Sequence, residues 1–377
     1  MSKFSIMYYW RIELNRLIIF LVGVLSIFVC YFAASQKVEA ATPKHVGLAN
    51  STNPELQKLA EYENVYGGAV TDTMMVFTDT PKSQLNARTA ATSMSNNLKE
   101  FAKYGIKPLV IMEPVQGSRP VDFQAYADGR YDPILDMYFK TLKNAGLTDV
   151  MLGTWVFFPE SNTPLWGNTD PGLISANITR SVQIQKQYYP DSQASVMLNS
   201  MTYDSDDTDW ANGRYASFVP YLAIPKGLIN SFGLQGFPWV PPKGDNTDEP
   251  ATDPSVYLPA TLAARAANYL RIKAIWFNTG TFGSMYTDDW DLTVNISPQE
   301  RADILNGVVT QAQTLKNQGY NVSVNLFSQD KSDMDEATDW SYWKTGHSSS
   351  SPATHVFIQF VRQLQNRQIP MWLFDTE

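Results

Sequence analysis

Glu160 stands at a break in the sequence pattern that favours acid–base chemistry. Residues 150–158 form an apolar run with little alternation, typical of a strand buried on both faces. The run ends in the turn-forming residues 159–162, so the carboxyl group falls where a strand becomes a loop. Apolar and aromatic surroundings raise the pKa of a carboxyl group and keep it a proton donor. This setting suits sugar chemistry; the alternative is an ordinary solvated loop residue.

Cleavage of a glycosidic bond requires a second carboxyl group, and the sequence offers three candidates. Retaining glycosidases hold the two groups about 5–5.5 Å apart and inverting enzymes about 6.5–9.5 Å. Glu113 ends the strand-like run before that of Glu160, so both would reach one end of a parallel sheet. Asp79 follows an earlier run, although an Asp in a Thr-Asp-Thr turn is more often a helix cap. Asp375 closes the apolar run 369–374, where the alternative is a solvated chain end.

The elements that would position these residues alternate as strand and helix from about residue 42. This alternation predicts a (β/α)8 TIM barrel, in which chemistry takes place at the carboxyl ends of the strands. A doubly wound open sheet is the alternative, but no glycine-rich phosphate loop follows any strand-like run. The sequence contains nine such runs, one more than a barrel holds: 46–49, 73–77, 107–112, 150–158, 194–199, 229–237, 273–278, 321–327 and 369–374.

The composition excludes several classes of function. The chain has 377 residues, 44% apolar and 13% aromatic, which is enough for one large barrel core. A formal net charge of -8, with no Lys/Arg cluster outside the N-terminus, argues against nucleic acid as a partner. One cysteine, Cys30, and three scattered histidines predict no disulfide and no zinc site. The acidic loop 203–209 lacks the central Gly and closing Glu of a calcium loop, so we expect no metal and no cofactor.

The first 44 residues predict export across a membrane. Residues 17–34 carry no charge, and their length is close to the roughly 20 residues of a membrane-spanning helix. Basic residues precede them, which keeps the N-terminus in the cytoplasm. We predict a cytoplasmic segment 1–16, a transmembrane signal anchor 17–34, a linker 35–44 and an extracellular barrel 45–377 at the cell membrane. Small residues before Ala41 indicate the alternative, a cleaved signal peptide and a secreted barrel.

Several segments resemble the mannanase-type glycoside hydrolases of family 26. Residues 106–114, IKPLVIMEP, are similar to that family's third strand, which ends in a Glu-Pro pair. Residues 127–132, ADGRYD, are similar to the segment that leads into its next helix. Residues 160–167 resemble the acid/base motif, His-Glu-x-Asn-Gly followed by a Trp-Gly pair. Residues 236–239 resemble the sixth strand with its aromatic platform, and residues 46–56 resemble the family's first strand and helix.

The resemblance covers about residues 45–240 and implies that Glu160 is the general acid/base and that Glu113 shapes the sugar site. Asn162 is placed to bond a sugar hydroxyl beside the acid, unless it is a turn residue. An aromatic side chain near the mouth could stack on a sugar ring, and the alternative for each one is that it fills the core. The other residues predicted to bind substrate are Trp166, Trp239, Trp276 and Asn278.

Two departures from the family pattern concern the chemistry directly. Pro159 stands where the family has the His that precedes its acid/base. The family's seventh strand ends in a nucleophilic Glu, whereas the matching run here ends in Asn278, which cannot attack an anomeric carbon as a carboxylate does. Either another residue, for which we select Asp375, supplies the nucleophile, or the double displacement is lost.

These observations predict an exported, membrane-tethered glycoside hydrolase acting on a β-linked polysaccharide of the β-mannan or β-glucan type, with Glu160 and Asp375 as catalytic residues. The alternative is a catalytically inactive barrel that binds carbohydrate at the cell surface, which Asn278 favours. A scaffold or adhesin without a sugar site ranks below both. The expected partners are a polysaccharide or oligosaccharide and the membrane, and the sequence does not indicate an oligomeric state.

Overall fold

The computed structural model describes residues 45–117, 119–167, 170–200, 218–238, 252–281, 283–287, 292–328, 330–331, 338–339 and 351–374. The strands among them are Thr73–Asp79 (β1), Lys107–Glu113 (β2), Thr154–Phe157 (β3), Gln193–Asn199 (β4), Ser231–Gln235 (β5), Ala274–Thr279 (β6), Ser284–Thr287 (β7), Leu292–Asn295 (β8), Asn321–Phe327 (β9), Asp330–Lys331 (β10), Thr338–Asp339 (β11) and Met371–Phe374 (β12).

Helices connect the strands, and many begin with the same local signal. In five of them the residue before the first turn accepts a backbone N–H with its side chain and is followed by proline, which is preorganised for a helix start: Asn53, Asp170, Asp253, Ser297 and Ser351. The α-helices of the described residues are Pro54–Tyr66 (α1), Gln84–Lys103 (α2), Phe123–Ala127 (α3), Asp132–Asn144 (α4), Asp149–Leu152 (α5), Pro171–Tyr188 (α6), Pro254–Tyr257 (α7), Ala260–Leu270 (α8), Pro298–Asn317 (α9) and Pro352–Asn366 (α10).

Eight parallel strands close into a barrel in the order β1-β12-β9-β6-β5-β4-β3-β2. The last strand of the chain completes the ring, because β12 pairs with β9 on one side and with β1 on the other. Closure leaves no free edge, which excludes the doubly wound open sheet. The predicted (β/α)8 class is therefore confirmed, and the carboxyl ends of all eight strands meet at one end of the barrel, called the mouth below.

The extra strand-like run is the first one. The predicted strand 46–49 is wrong, because Gly47 has a left-handed φ of 79° and starts the 3-10 turn Leu48–Asn50. The terminal run, by contrast, is a full barrel strand, β12. Each later strand therefore moves down by one. Glu160 follows the third barrel strand, which was predicted to be the fourth, and Asn278 lies in the sixth, which was predicted to be the seventh.

The apolar run 150–158 is also shorter as a strand than predicted. Its first residues belong to the helical turn α5, because the Thr148 side chain accepts the backbone N–H of Met151 and caps it. Gly153 ends the turn at φ 68°, and a Cβ there would lie 2.0 Å from the carbonyl oxygen of Pro108. Only glycine permits this contact, so the strand starts at Thr154.

Inside the barrel, alternate strand residues form a core of their own: Met75, Leu109, Ile111, Val156, Met197 and Trp276, with Phe327 and Trp372 packed against them. The Trp276 indole N–H donates to the Ser195 hydroxyl at 2.8 Å, and its ring centroid lies 5.5 Å from that of Trp372. Gly233, on the neighbouring strand, makes room for this ring. A Cβ added at Gly233 would lie 2.4 Å from it.

We expect Gly233→Ala to lower the free energy of unfolding by about 1–3 kcal/mol, because the Trp276 ring is fixed by its partners and cannot move away from a new methyl group. Chemical denaturation measures this. Gly172→Ala is the matched control: Gly172 lies exposed in the first turn of α6, where only the Asp170 carboxylate is near. Equal effects of the two changes would show that ring packing does not constrain Gly233.

A four-stranded sheet in the order β10-β11-β7-β8 lies outside the barrel, and its strands are antiparallel. Among the helices that the structure describes, none is both long and apolar enough to cross a bilayer. The predicted anchor 17–34 lies outside the described residues, so it stays a prediction.

Candidate active site

The ends of β1 and β2 place two acidic side chains side by side at the mouth. Asp79 and Glu113 are the last residues of these strands and are register partners. Side chains alternate along a strand, and Asp79 and Glu113 lie an even number of residues after Met75 and Ile111, which point into the barrel. Both acidic residues therefore face the barrel axis. The exposed Asp79 carboxylate accepts the backbone N–H of Gly117 at 3.1 Å, whereas Glu113 is half-buried. Asp79 is therefore held by a loop, and the cap of the helix that follows it, α2, is Ser83.

Glu160 lies on the next loop, after β3, in an uncommon backbone conformation. Its φ is 52°, and that of Phe158 two residues earlier is 53°. Non-glycine residues in this left-handed region cost of order 1 kcal/mol and persist only where their surroundings hold them. Here the Glu160 N–H donates to the carbonyl of Met197 at 3.1 Å, which ties the loop to β4. The loop turns the half-buried Glu160 side chain towards the end of that strand.

Asn199, the last residue of β4, fixes the Glu160 carboxylate. Its Nδ2 donates to Oε2 of Glu160 at 3.1 Å. Asn162 in turn fixes Asn199: its Nδ2 donates to the Asn199 carbonyl at 2.6 Å, and its Oδ1 accepts the Asn199 N–H at 2.8 Å. Both ends of the Asn162 amide thus bond β4, and its predicted bond to a sugar hydroxyl stays a prediction. Asn162 positions the residue that positions Glu160.

A row of side-chain amides continues from Asn199 around the barrel. Gln235, Asn278 and Asn325 follow as register partners on successive strands. Asn278 donates to Gln235 and accepts from Asn325, each at 2.5 Å. Barrel strands tilt, so a row in register descends into the barrel. Accordingly, Asn199 is half-buried, Gln235 and Asn278 are 5% and 4% exposed, and Asn325 is fully buried.

Asn278 therefore lies within the protein's own network, below the mouth surface, and its predicted contact with substrate would have to displace that network. Asn325 has a buried Oδ1 with no hydrogen-bond partner. Sequence reasoning missed Asn199, Gln235 and Asn325. The available signal was the one that identified Asn278, a polar residue at or near the end of an apolar strand.

The mouth is chemically two-sided. Its described carboxylates come from β1, β2 and the loop after β3, whereas the amides come from β4, β5, β6 and β9. The strand opposite β3 in the eight-stranded barrel is β9, four strands away in either direction. Its inward-facing residues near the mouth are Asn325 and Phe327. Within the described part of the chain, the residues directly across from Glu160 are thus an amide and a ring. The nearest carboxyl neighbour by strand order is Glu113, on the adjacent strand.

Aromatic side chains form the floor between these two sides. Phe77 lies on the inward-facing side of β1, two residues after Met75, and is nevertheless 39% exposed. Phe327, half-buried on β9, meets the edge of Phe237 with ring centroids 5.7 Å apart. An exposed phenyl ring inside a barrel is unusual, and it offers an apolar face to a ligand that enters the mouth. Neither phenylalanine was among the residues predicted from sequence.

The structure gives the predicted tryptophans different places. Trp166 is half-buried and its indole N–H donates to the Pro159 carbonyl at 2.5 Å, so it braces the loop directly before Glu160. Trp276 is fully buried below the amide row, which makes its predicted role as a sugar platform at the mouth wrong. Trp239 and Asp375 lie outside the described residues, and their roles stay predictions.

Packing beneath the loop supports its strained conformation. The Phe158 ring meets the edges of Phe123 and Tyr126 at centroid distances of 5.4 and 4.9 Å. Burial raises the pKa of Tyr126, whose hydroxyl group bonds that of Ser181, so this ring stays neutral.

No group of His, Cys, Asp and Glu side chains suited to a metal occurs in the described residues, and the acidic loop 203–209 lies outside them.

Comparison with known proteins bears on the fold. No protein-family model and no curated protein matches the sequence. Among solved structures, the chain is similar to the β-glucosidase from Thermotoga maritima in complex with noeuromycin, with a TM-score of 0.52 and 11% identity over 88% of this chain and 94% of that chain. It is also similar to the β-glycosidase BGL167, with a TM-score of 0.52 and 10% identity over 83% of this chain and 86% of that chain. At such identities these likenesses show the barrel fold alone.

Proposed function

We propose that this chain is a glycoside hydrolase that cleaves a β-linked glycan at the barrel mouth, with Glu160 as general acid/base. The observation that carries the proposal is the loop of Glu160: a left-handed non-glycine residue whose carboxylate is bonded by Asn199. Residues held in sparsely populated conformations concentrate at active sites. The family 26 resemblance of residues 106–167 also supports the proposal, and the barrel fold is one that β-glycosidases share.

The geometry suggests the following roles. In this proposal a sugar ring stacks its apolar face on the exposed Phe77, and its glycosidic oxygen is the group that Glu160 protonates. Glu160 gives its proton to this oxygen as the bond to the anomeric carbon breaks, and the carboxylate then takes a proton from water. Glu113, on the adjacent strand, is the second carboxyl group and either attacks the anomeric carbon or activates the water. Asp375 is the rival for this second role.

The substrate class that we propose is a β-linked polysaccharide of the mannan or glucan type. We also propose that residues 17–34 anchor the barrel outside the cell, where such polymers occur. The uncharged stretch and the basic residues before it support this placement.

A barrel that binds carbohydrate without cleaving it is the second candidate. It is favoured by the amide row and Phe327 across from Glu160, because retaining glycosidases of this fold class place a carboxylate opposite the acid. Under this reading the carboxylates of β1 and β2 bond sugar hydroxyl groups, and the mouth never forms a glycosyl intermediate.

Release of reducing ends from soluble β-mannan and β-glucan tests the proposal on the full chain. Hydrolysis of either polymer supports it. Retention on the insoluble polymer with no reducing ends released would favour the binding barrel, and neither release nor retention would remove both candidates.

A further inference from the structure

A well opens at the end of the barrel opposite the mouth. It is a cavity of about 700 Å³ lined by the first residues of the strands, among them Thr73, Lys107, Thr154, Gln193 and Ser231. All of its lining residues belong to the described part of the chain. The size falls within the range of about 300–1,000 Å³ that small-molecule sites occupy. Because the barrel core separates this well from Glu160, it serves no step of the proposed hydrolysis.

Small hydroxyl residues create the well. Four of the positions on the inward face of the strands below the barrel core are Thr73, Thr154, Ser231 and Ser323, one on every second strand of the ring. In most barrels of this class, bulky branched side chains fill such layers. Here four short hydroxyl side chains leave the space open, and each residue keeps some exposure to solvent.

Tryptophan forms the floor of the well. Trp372 is half-buried and lines the cavity, and the fully buried Trp276 lies beside it at 5.5 Å between ring centroids. The Trp276 N–H is satisfied by Ser195, and Gly233 lets the ring sit against β5, so the pair is rigid. A partly exposed indole at the bottom of a ring of hydroxyl groups matches a ligand with one apolar face and polar edges.

The two lysines of the rim and the Asp149 carboxylate already have hydrogen-bond or ion-pair partners. Lys107 lies 3.3 Å from the Asp72 carboxylate, and Lys316 donates to the Gln368 carbonyl at 3.0 Å. The Asp149 carboxylate accepts the backbone N–H of Asp191 at 2.8 Å. With both lining lysines engaged and carboxylates around them, the rim disfavours an anion. The hydroxyl groups and the amides of Gln193, Asn230 and Gln368 add neutral polar atoms. Gln193 Nε2 also donates to the Asp191 carbonyl, and Asn230 Oδ1 accepts the Ala194 N–H.

We propose that this well is a second carbohydrate site, which takes a neutral sugar ring stacked on Trp372 with its hydroxyl groups directed to the Ser/Thr layer and the rim amides. The site is independent of catalysis at the mouth, and a barrel without turnover would still carry it. In a chain that acts on a polymer, it holds a second strand or a distant stretch of the same glycan.

Binding to the full chain carrying Glu160→Gln tests the well without substrate turnover. The probes are glucose, mannose, cellobiose and β-1,4-mannobiose, with choline as a cationic probe, each measured by titration calorimetry. Thr154→Leu places a larger side chain in the half-exposed wall of the well. We expect it to weaken sugar binding at the well about tenfold or more and to leave sugar binding at the mouth unchanged. Thr310→Leu, at an exposed position of α9, is the matched control.

Trp372→Phe keeps a ring in the barrel and is the second variant should Thr154→Leu fail to fold. It should weaken the same class of sites as Thr154→Leu. In the chain with Glu160 intact, Thr154→Leu should leave the rate on a short soluble substrate unchanged, which separates this proposal from the proposed function. The proposal is overturned by sugar affinities that both well variants leave unchanged, by binding of choline but of no sugar, or by no binding of any probe.

Discussion

Glu160→Gln is expected to lower turnover on the responsive polymer by about 10²–10⁴-fold, because the amide cannot give a proton to the leaving oxygen. Affinity for the polymer should stay within a few-fold. Glutamine has the shape of glutamate and keeps an oxygen that can accept the Asn199 amide, so the left-handed loop should be preserved. A loss in kcat with little change in binding is the signature of an interaction made in the transition state.

The measurement pairs initial rates of reducing-end release with polymer retention for the same preparation. Glu55→Gln is the matched control, an identical change in the first turn of α1 and far from the mouth in sequence. Substrates with good leaving groups, such as aryl glycosides, need little protonation and should lose less rate than the polymer. Equal turnover of Glu160→Gln and the unaltered chain would remove Glu160 from the chemistry.

Strand ends could be located from sequence because the alternation of strand and helix is a local pattern. Glu113 was correctly placed at the end of a barrel strand by the polar residue that closes an apolar run. The same logic counted one strand too many. A short apolar run such as 46–49 has no internal feature that separates a strand from a turn, and the left-handed Gly47 decides it.

Partners across the barrel could not be predicted in this way. Periodicity gives the face on which Trp276 lies, but not its depth, and depth makes it part of the inner core instead of a platform. Asn162 looked free for a ligand because its partner, Asn199, is distant in the chain. The well at the opposite end was equally hidden, since it depends on four small residues from four different strands at one level.

Glu113→Gln is expected to lower turnover at least about a hundredfold, because the mouth then loses the carboxyl group next to Glu160. Azide should restore part of the rate to Glu113→Ala, whose shorter side chain leaves room for this small anion. Azide then attacks the anomeric carbon as the leaving group departs, and the product is a glycosyl azide. The anomeric configuration of the sugar first released by the unaltered chain shows whether the natural reaction retains or inverts.

Asp375→Asn and Asp79→Asn place the same change at the two rival positions. Asp79 is exposed and bonded to the Gly117 N–H, so its loss should change rates only a few-fold. If Asp375→Asn instead abolishes turnover and azide restores part of the rate to Asp375→Ala, while Glu113→Gln raises KM alone, then Glu113 is a binding residue and Asp375 is the nucleophile. We expect the first outcome, because among the carboxyl groups that the structure describes Glu113 is the one on the strand adjacent to that of Glu160.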